Sequence, residues 1–151
     1  MYNKKVRNAT VIECDGIRFR SILEHKVYVE LRDAGYEPEY ESEKIVLLDT
    51  FEPEHTWYLD GEPQVTKKGN NKKIVGKTYT PDFKLTVNFT DYYIEVKGHP
   101  NDVYTTTRKM FLKWLDSQDN KIFVEIHSVK GIRQFINVLR EKKNNEGKEN
   151  I

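Results

Sequence analysis

The stretch from Tyr79 to Pro100, YTPDFKLTVNFTDYYIEVKGHP, decides the fold because it predicts a β-hairpin that carries charges in its strands. Apolar and polar residues alternate on both sides of Thr90-Asp91, the predicted two-residue turn, and a period of two is typical of strands with one buried face. The buried face carries the apolar side chains Phe83, Leu85, Val87, Phe89, Tyr92, Ile94 and Val96. The opposite face carries the charged side chains Asp82, Lys84, Glu95 and Lys97.

This register keeps the two acids of the charged face apart. With Thr90-Asp91 as the turn, Asp82 lies opposite residue 99 and Glu95 lies opposite residue 86. Neighbouring residues of a strand are about 3.3 Å apart along its axis, so the offset of four residues between Asp82 and the partner of Glu95 is too large for both acids to bind one ion. A shared ion therefore requires a bulge, a bend or a splay of the strands that brings the acids together.

Two carboxylates beside a lysine are the groups that metal-assisted hydrolysis of a phosphodiester needs. Carboxylate oxygens hold Mg²⁺ while leaving it several waters, and a fixed ammonium can orient the attacking water or stabilise the transition state. The pattern of an acid, any residue and a lysine occurs six times in the chain, so the pattern alone carries no weight. Glu95-Val96-Lys97 differs in context, because it ends an apolar strand, precedes Gly98 and follows a strand that Pro81-Asp82 opens.

The composition is that of a soluble globular protein. The chain has 151 residues, of which 37% are apolar and 32% charged, enough for one domain with a core. No apolar run approaches the ~20 residues of a membrane span, and no apolar segment follows the first basic residues, so we expect a cytoplasmic protein without a secretory signal or membrane contact. The lone Cys14 excludes an internal disulfide. We expect one domain over residues 1–140, an insertion at about 47–77, and a charged, disordered tail at 141–151.

Working outward from the hairpin, the chain predicts alternating helices and strands. Asp15-Gly16 predicts a tight turn between two short strands, Ser21 with Glu24 is a capping box that predicts the start of a helix, and Gly35 predicts its end. KIFVEI predicts a buried strand between two helices with apolar stripes. Those stripes are Met110, Phe111, Trp114 and Leu115, and Val129, Ile132, Phe135, Ile136 and Leu139. The order is typical of a mixed α/β sandwich with helices against a central sheet.

Several of these segments together resemble a known superfamily. PD at 81–82, EVK at 95–97, the helix that carries Glu24 and the later helix with Arg108 and Lys109 resemble the PD-(D/E)XK nucleases. DGIRFRSILEHKVYVEL, YTPDF, EVKG and TTTRKMF resemble small phage-encoded endonuclease-like proteins of that superfamily, over about Val11 to Ser128. The resemblance implies a restriction-endonuclease-like α/β core of order α-β-β-β-α-β, with a mixed central sheet flanked by helices. The N-terminal hairpin and the inserted β excursion would be additions to this core.

The resemblance also implies a role for each residue of the charged face. Asp82 and Glu95 would be the metal-binding carboxylates, Lys97 the catalytic lysine and Glu24 an accessory acid. Glu24 keeps a second interpretation, because its spacing from Ser21 is also that of a capping box. Mg²⁺ is the expected cofactor, and Mn²⁺ is expected to substitute for it.

Basic residues supply the expected contacts with nucleic acid, because phosphates attract lysine and arginine. One group is an acid-free run after Gln64 and the other lies on the helix after Gly98; their members are Lys67, Lys68, Lys72 and Lys73, and Arg108, Lys109 and Lys113. Either group can equally be an ordinary solvated surface.

The predicted function is that of a metal-dependent endodeoxyribonuclease acting on duplex or branched DNA, in phage recombination, DNA processing or defence. Two alternatives stay open. One is a catalytically silent nucleic-acid-binding protein that retains the fold, and the other is a nuclease that acts on RNA, since nothing in these residues reads a 2′-hydroxyl. A homodimer would suit cleavage of two strands, which is an analogy at the level of the fold.

Overall fold

The computed structural model describes residues 11–54, 57–58, 64–65, 73–98 and 102–149. Within these ranges the helices are α1 (Ile22–Asp33), α2 (Asp102–Leu115) and α3 (Val129–Glu149). The strands are β1 (Ile12–Cys14), β2 (Ile17–Phe19), β3 (Glu39–Tyr40), β4 (Ile45–Leu48), β5 (Trp57–Tyr58), β6 (Gln64–Val65), β7 (Lys77–Tyr79), β8 (Phe83–Val87), β9 (Thr90–Val96) and β10 (Lys121–Ile126). The fold is mixed α/β, as predicted, and none of these helices is long and apolar enough to cross a membrane.

The central sheet has four strands in the order β10-β9-β8-β3. β8 is antiparallel to both β9 and β3, and β10 is parallel to β9. A parallel pair needs a crossover connection, and α2 lies in that connection between β9 and β10. The segment KIFVEI, predicted as a strand, is β10.

Two apolar clusters cover the two faces of this sheet. α1 and α3 pack against each other on one face, over the larger cluster, which includes Phe19, Val27, Leu31, Phe83, Leu85, Ile94, Val96, Ile126, Ile132 and Phe135. α2 and the β4-β7 pair meet on the other face, over a smaller cluster formed by Ile45, Tyr79, Tyr93 and Phe111. The charged residues of the hairpin lie on this second face, where the apolar cover is incomplete.

The N-terminal hairpin and the capping of α1 follow the prediction. Asp15 and Gly16 have φ angles of 52° and 77°, which form the tight turn between β1 and β2. Ser21 is the N-cap of α1, and its hydroxyl accepts a hydrogen bond of 3.1 Å from the backbone N–H of Glu24. Gly35 takes a φ of 87° directly after the helix, a conformation that favours glycine.

The predicted turn of the central hairpin was wrong. Asn88 and Phe89, with φ angles of 48° and 59°, form the turn, while Thr90 and Asp91 are the first residues of β9. Asparagine tolerates the left-handed region that this turn requires, whereas a β-branched threonine does not. Phe89 is 94% exposed at the tip and was wrongly assigned to the buried face.

Moving the turn shifts the strand register by four residues. The shift is even, so the side chains within the two strands keep their predicted faces, but each residue now lies opposite a different partner. Phe83 now pairs with Ile94, and the next step of the same register puts Asp82 opposite Glu95. The bulge or splay that the predicted register required between these acids is therefore unnecessary.

α3 is longer than predicted. Its apolar stripe ends at the buried Leu139, but the helix continues to Glu149 through the segment that we expected to be a disordered tail. Residues 141–145 are exposed, so packing does not support this end. Six of the nine residues from 141 to 149 are lysine or glutamate, which have high intrinsic helix propensity, although Asn144, Asn145 and Gly147 do not.

The segment predicted as an insertion starts as a hairpin of its own. β4 pairs with β7 in antiparallel register, from Ile45 opposite Tyr79 onward, and a bridge joins Phe51 to Ile74 further along. β5 pairs with β6 in the same sense. The root of this hairpin packs against α2, so it forms one wall of the second face of the sheet.

The position of the turn can be tested by replacing Phe89 with glycine. A non-glycine residue in the left-handed region costs roughly 1–2 kcal/mol of stability, and glycine removes this cost. Part of the gain is offset because glycine makes the unfolded chain more flexible, which stabilises the unfolded state. We expect Phe89→Gly to raise the free energy of unfolding by about 0.5–1 kcal/mol in urea titrations. The control Phe89→Ala keeps the strain and should give no gain. A loss of stability in Phe89→Gly would place Phe89 in a strand and restore Thr90-Asp91 as the turn.

Candidate active site

The opposed strands β8 and β9 bring Asp82 and Glu95 to one place. Asp82 directly precedes β8, and one of its carboxylate oxygens, Oδ2, accepts a 2.7 Å hydrogen bond from the backbone N–H of Val96 in β9. Glu95 is only 4% exposed, although its side chain is an acid. A buried acid is costly unless it is compensated, so this pair marks a place where the fold accepts a cost in stability.

Both acids line an open cleft of about 630 Å³ on the second face of the sheet. Its walls come from the end of β2, β7, β8, β9 and α2; the lining residues are Arg20, Glu41, Lys44, Tyr79, Thr80, Asp82, Glu95, Lys97, Val103, Tyr104 and Thr107. Three of the four residues predicted to be catalytic, Asp82, Glu95 and Lys97, are therefore together in one cavity. The acids lie within reach of a ligand that enters the cleft.

The carboxylate of Glu95 is held by two neighbours. The hydroxyl of Tyr79 donates a 2.5 Å hydrogen bond to Oε2, and the ammonium of Lys97 lies 2.9 Å from Oε1. Burial, followed by the negative charge of Glu95, raises the pKa of Tyr79 far above its usual range. Tyr79 therefore stays protonated and remains a donor, which fixes the orientation of Glu95.

No ion pair with Asp82 forms among the described residues, and burial raises its pKa more than the nearby charge of Lys97 lowers it. Burial and then the charge of Glu95 raise its pKa from 3.8 to about 8, against the lowering effect of the Val96 N–H. The two facing carboxylates share one nearby ammonium, that of Lys97, so the site has an excess of negative charge when both acids are ionised. An added cation would remove this repulsion.

The donor set fits a hard divalent cation. Mg²⁺ is commonly bound by one or two carboxylates, with waters and substrate phosphates in its other positions, and Asp82 and Glu95 supply that pair. Among the described residues, no group of three or more His, Cys, Asp or Glu side chains is arranged to hold a metal. An all-protein cage of the kind that Ca²⁺ or structural Zn²⁺ prefers is thus not formed by this part of the chain.

Glu24 takes up the capping role that the sequence left open. Its carboxylate accepts hydrogen bonds from the Ser21 hydroxyl at 2.9 Å, from the Arg20 backbone N–H at 3.1 Å and from the Tyr40 hydroxyl at 2.7 Å. It is buried and does not line the cleft. Its negative charge does reach Asp82, whose pKa it helps to raise after burial and Glu95. The accessory role of Glu24 in the site therefore stays a prediction, whereas its structural role at the start of α1 is observed.

The basic residues predicted to bind nucleic acid have different positions. Lys67, Lys68 and Lys72 lie outside the described residues, and Lys73 is exposed. On α2, Lys109 and Lys113 are exposed beside an apolar groove that includes Leu47 and Trp114. Arg108 instead pairs with Glu125, at 2.8 Å between Nε and Oε2, although its side chain is still 41% exposed.

Sequence reasoning missed the residues that hold the acids and the rim of the cleft. Tyr79 and Tyr104 come from β7 and α2, and no fixed spacing along the chain ties either of them to Glu95. Arg20 and Lys44 line the cleft from elements that precede the hairpin by many residues. Their only signal in the sequence was position: Tyr79 opens the YTPD segment, and Arg20 directly precedes the capping box.

One comparison with known families gives a match over most of the chain. The family model described as a protein of unknown function (DUF1064) matches residues 4–142. The chain belongs to the DUF1064 family. Neither the curated proteins nor the solved structures gave a significant match. Since the description of DUF1064 states no activity, the function of this member has to be inferred from the cleft.

The raised pKa of Asp82 predicts how stability depends on pH in the absence of metal. In the unfolded chain the pKa of this carboxyl is near 3.9. Between about pH 4 and pH 8, Asp82 is therefore protonated in the folded protein and ionised in the unfolded chain. This contribution to stability is complete below about pH 4 and is lost as the pH rises through 8. Asp82→Asn removes the loss, so its Tm relative to the parent should rise between pH 5 and pH 8.5 in EDTA, by roughly 3 °C or more.

Asp91→Asn is the matched control, since Asp91 lies on the same face of the hairpin. Despite partial burial, hydrogen bonds from Thr86 and Lys121 lower the pKa of Asp91, so its stabilising contribution is already complete at pH 5. The Tm difference between Asp91→Asn and the parent should therefore stay constant over the same range. A constant Tm difference for Asp82→Asn as well would show that Asp82 ionises normally and that the carboxylates of Asp82 and Glu95 do not repel each other.

Proposed function

We propose that this DUF1064 member is a metal-dependent endodeoxyribonuclease that hydrolyses phosphodiester bonds. The observation that supports this most strongly is the register of β8 and β9, which sets Asp82 opposite Glu95 with the ammonium of Lys97 2.9 Å from Glu95. Two facing acids and a lysine at the floor of an open cleft form the donor set that metal-assisted phosphodiester hydrolysis uses. The proposal depends on this grouping and not on any one of the three residues.

The order of elements gives independent support. α1, β3, β8, β9, α2 and β10 follow one another as α-β-β-β-α-β, with the β1-β2 hairpin before them and the β4-β7 segment inserted. This is the order that the resemblance to PD-(D/E)XK nucleases implies. In it, Asp82 directly before β8 and Glu95 in the adjacent strand β9 match the positions that the resemblance implies for the paired acids. Fold order and site residues therefore agree with one proposal.

The chain's own groups would divide the work as follows. Asp82 and Glu95 would hold Mg²⁺, which supplies Lewis acidity toward the phosphate and a bound water of lowered pKa. Tyr79 keeps Glu95 in place through its 2.5 Å hydrogen bond. Lys97 presents a fixed positive charge at the acids, where it can stabilise negative charge that develops on the phosphate in the transition state.

The rim of the cleft offers contacts for the phosphate backbone. Arg20 is held at its end by Glu41, 2.7 Å away, yet its side chain is 74% exposed. Lys44 is exposed on the same rim. Positive groups placed beside a site of two acids favour a polyanionic substrate over a neutral one, because they offset the repulsion between the acids and the phosphates.

The direct test is cleavage by the purified protein with Mg²⁺ or Mn²⁺, on plasmid, single-stranded, branched and RNA substrates. We expect cleavage of DNA that EDTA abolishes, and loss of cleavage in Asp82→Asn and Glu95→Gln, because each variant deletes a ligand charge at nearly constant volume. Asp33→Asn, an exposed acid paired with Arg32, is the control and should cut normally. Cleavage of RNA alone would replace DNA as the substrate. Metal-dependent DNA binding without cleavage in any arm would favour the catalytically silent alternative.

Lys97 separates catalysis from metal binding. An ammonium is not a ligand for Mg²⁺, so Lys97→Ala should bind Mn²⁺ as well as the parent in calorimetry. Loss of one preorganised donor should lower the single-turnover rate roughly 10²- to 10³-fold. Lys84→Ala is a closely matched control: Lys84 lies on the same sheet face, pairs with Glu43 at 2.9 Å and has a side chain 24% exposed against 29% for Lys97. Equal rates in Lys97→Ala and Lys84→Ala would exclude a catalytic role for Lys97.

A further inference from the structure

The ammonium of Lys97 has a second neighbour besides Glu95. Its Nζ lies over the ring of Tyr104, 4.6 Å from the ring centroid. Tyr104 belongs to the first turns of α2 and is 8% exposed, so the ring is a fixed wall of the cleft. A cation over the face of an aromatic ring is attracted by the ring's quadrupole, and the attraction is larger where water is excluded.

Tyr104 is itself fixed by Glu125 of β10. Its hydroxyl donates a 2.7 Å hydrogen bond to Oε2 of Glu125, and the guanidinium of Arg108 reaches the same oxygen at 2.8 Å. Burial, followed by the hydrogen bond to Glu125, raises the pKa of Tyr104 far above its usual range, so the phenol stays neutral. The ring therefore cannot move away from Lys97 without breaking a bond to a charged acceptor.

Glu125 also connects to the backbone of Lys97. Nε2 of His127 lies 3.0 Å from Oε1 of Glu125, and Nδ1 of the same ring lies 2.8 Å from the carbonyl oxygen of Lys97. The parallel register of β9 and β10 pairs Glu125 with Glu95, one strand away. The side chain of Glu125 thus reaches the ammonium of Lys97 through Tyr104, while the ring of His127 lies between Glu125 and the carbonyl oxygen of Lys97.

We propose that Tyr104 is a positioning residue for Lys97, whose ring holds the ammonium against Glu95 and whose hydroxyl anchors it to Glu125. The lysine side chain is long, flexible and 29% exposed, so without the ring it would sample several rotamers. The consequence for catalysis rests on the proposed nuclease function. The position of the lysine does not, so the two can be tested apart.

The first measurement needs no activity. In a proton-carbon correlation spectrum, the ε-methylene of Lys97 should be shifted upfield by the ring current of Tyr104, with the signal assigned through Lys97→Ala. The shift should be lost in Tyr104→Leu and kept in Tyr104→Phe, which retains the ring while Arg108 still compensates Glu125. Tyr104→Met serves as a second ring-free variant if Tyr104→Leu does not fold. An unchanged shift in the ring-free variant would overturn the proposal.

The second measurement is a double-mutant cycle on the single-turnover cleavage rate. Loss of the ring should lower the rate roughly 2- to 30-fold in the parent, the range expected for one cation–π contact, and should have no effect in Lys97→Ala. Tyr104→Phe should restore most of the rate. Equal effects of Tyr104→Leu in both backgrounds would show a merely structural role and would also overturn the proposal. Failure of the parent to cut any substrate would instead count against the nuclease function, and the spectrum would still decide the position of Lys97.

Tyr28→Leu controls for the loss of a buried tyrosine. Tyr28 has the same 8% exposure as Tyr104, its hydroxyl donates to the carboxylate of Asp15 at 2.9 Å, and Arg32 lies 5.7 Å from its ring. It is outside the cleft, on α1. Tyr28→Leu should lower stability without moving the Lys97 signal. A similar shift of that signal in Tyr28→Leu would mean that the spectrum reports general loosening, which would overturn the assignment to Tyr104.

Discussion

The hydrogen-bonded register between β8 and β9 is the constraint on which the rest of the site depends. Five residue pairs from Phe83–Ile94 to Val87–Thr90 lock the two strands, and the Asn88-Phe89 turn sets where they begin to pair. A slip by one residue would turn every apolar side chain of the hairpin away from α1 and α3. The burial of one face therefore also determines which acids meet on the other.

The second face of the sheet shows what it takes to keep two acids together in a fold. A buried carboxylate costs stability unless it is compensated, and the fold supplies hydrogen-bond donors to both acids and one cation to Glu95. The Val96 N–H binds Asp82, and the Tyr79 hydroxyl and Lys97 bind Glu95. These partners orient the acids, but the single ammonium of Lys97 does not balance two carboxylates. The site thus remains electrostatically unsatisfied in the protein alone, which is the property that a cation-binding site requires.

The local pattern of the sequence predicted most elements and the faces of the hairpin correctly. Capping at Ser21, the Asp15-Gly16 turn and the charged face with Asp82, Glu95 and Lys97 all follow from rules that act over a few residues. Those rules could not choose between two adjacent turns, because the alternation of apolar and polar residues is the same for both. Asn88 was the available signal, since asparagine accepts a positive φ more readily than threonine.

Contacts between distant segments lay beyond the reach of the sequence. Tyr79, Tyr104 and Glu125 come from three different elements and meet around Glu95 and Lys97 only through the strand order of the sheet and the packing of α2. The helical end of α3 was missed for a different reason. There the apolar stripe stops at Leu139 while the helix continues through a segment rich in lysine and glutamate, and a prediction based on burial does not detect this continuation.

The measurement that tests the central claim most directly is anomalous diffraction from crystals of the protein soaked in Mn²⁺, since manganese scatters anomalously and should replace Mg²⁺. A cation site built by the β8-β9 register predicts one anomalous peak in the cleft, within coordination distance of both Asp82 and Glu95, and no peak there in Asp82→Asn crystals treated identically. A saturating soak that leaves the space between the two carboxylates empty in the parent would contradict the claim that their pairing serves to bind a metal.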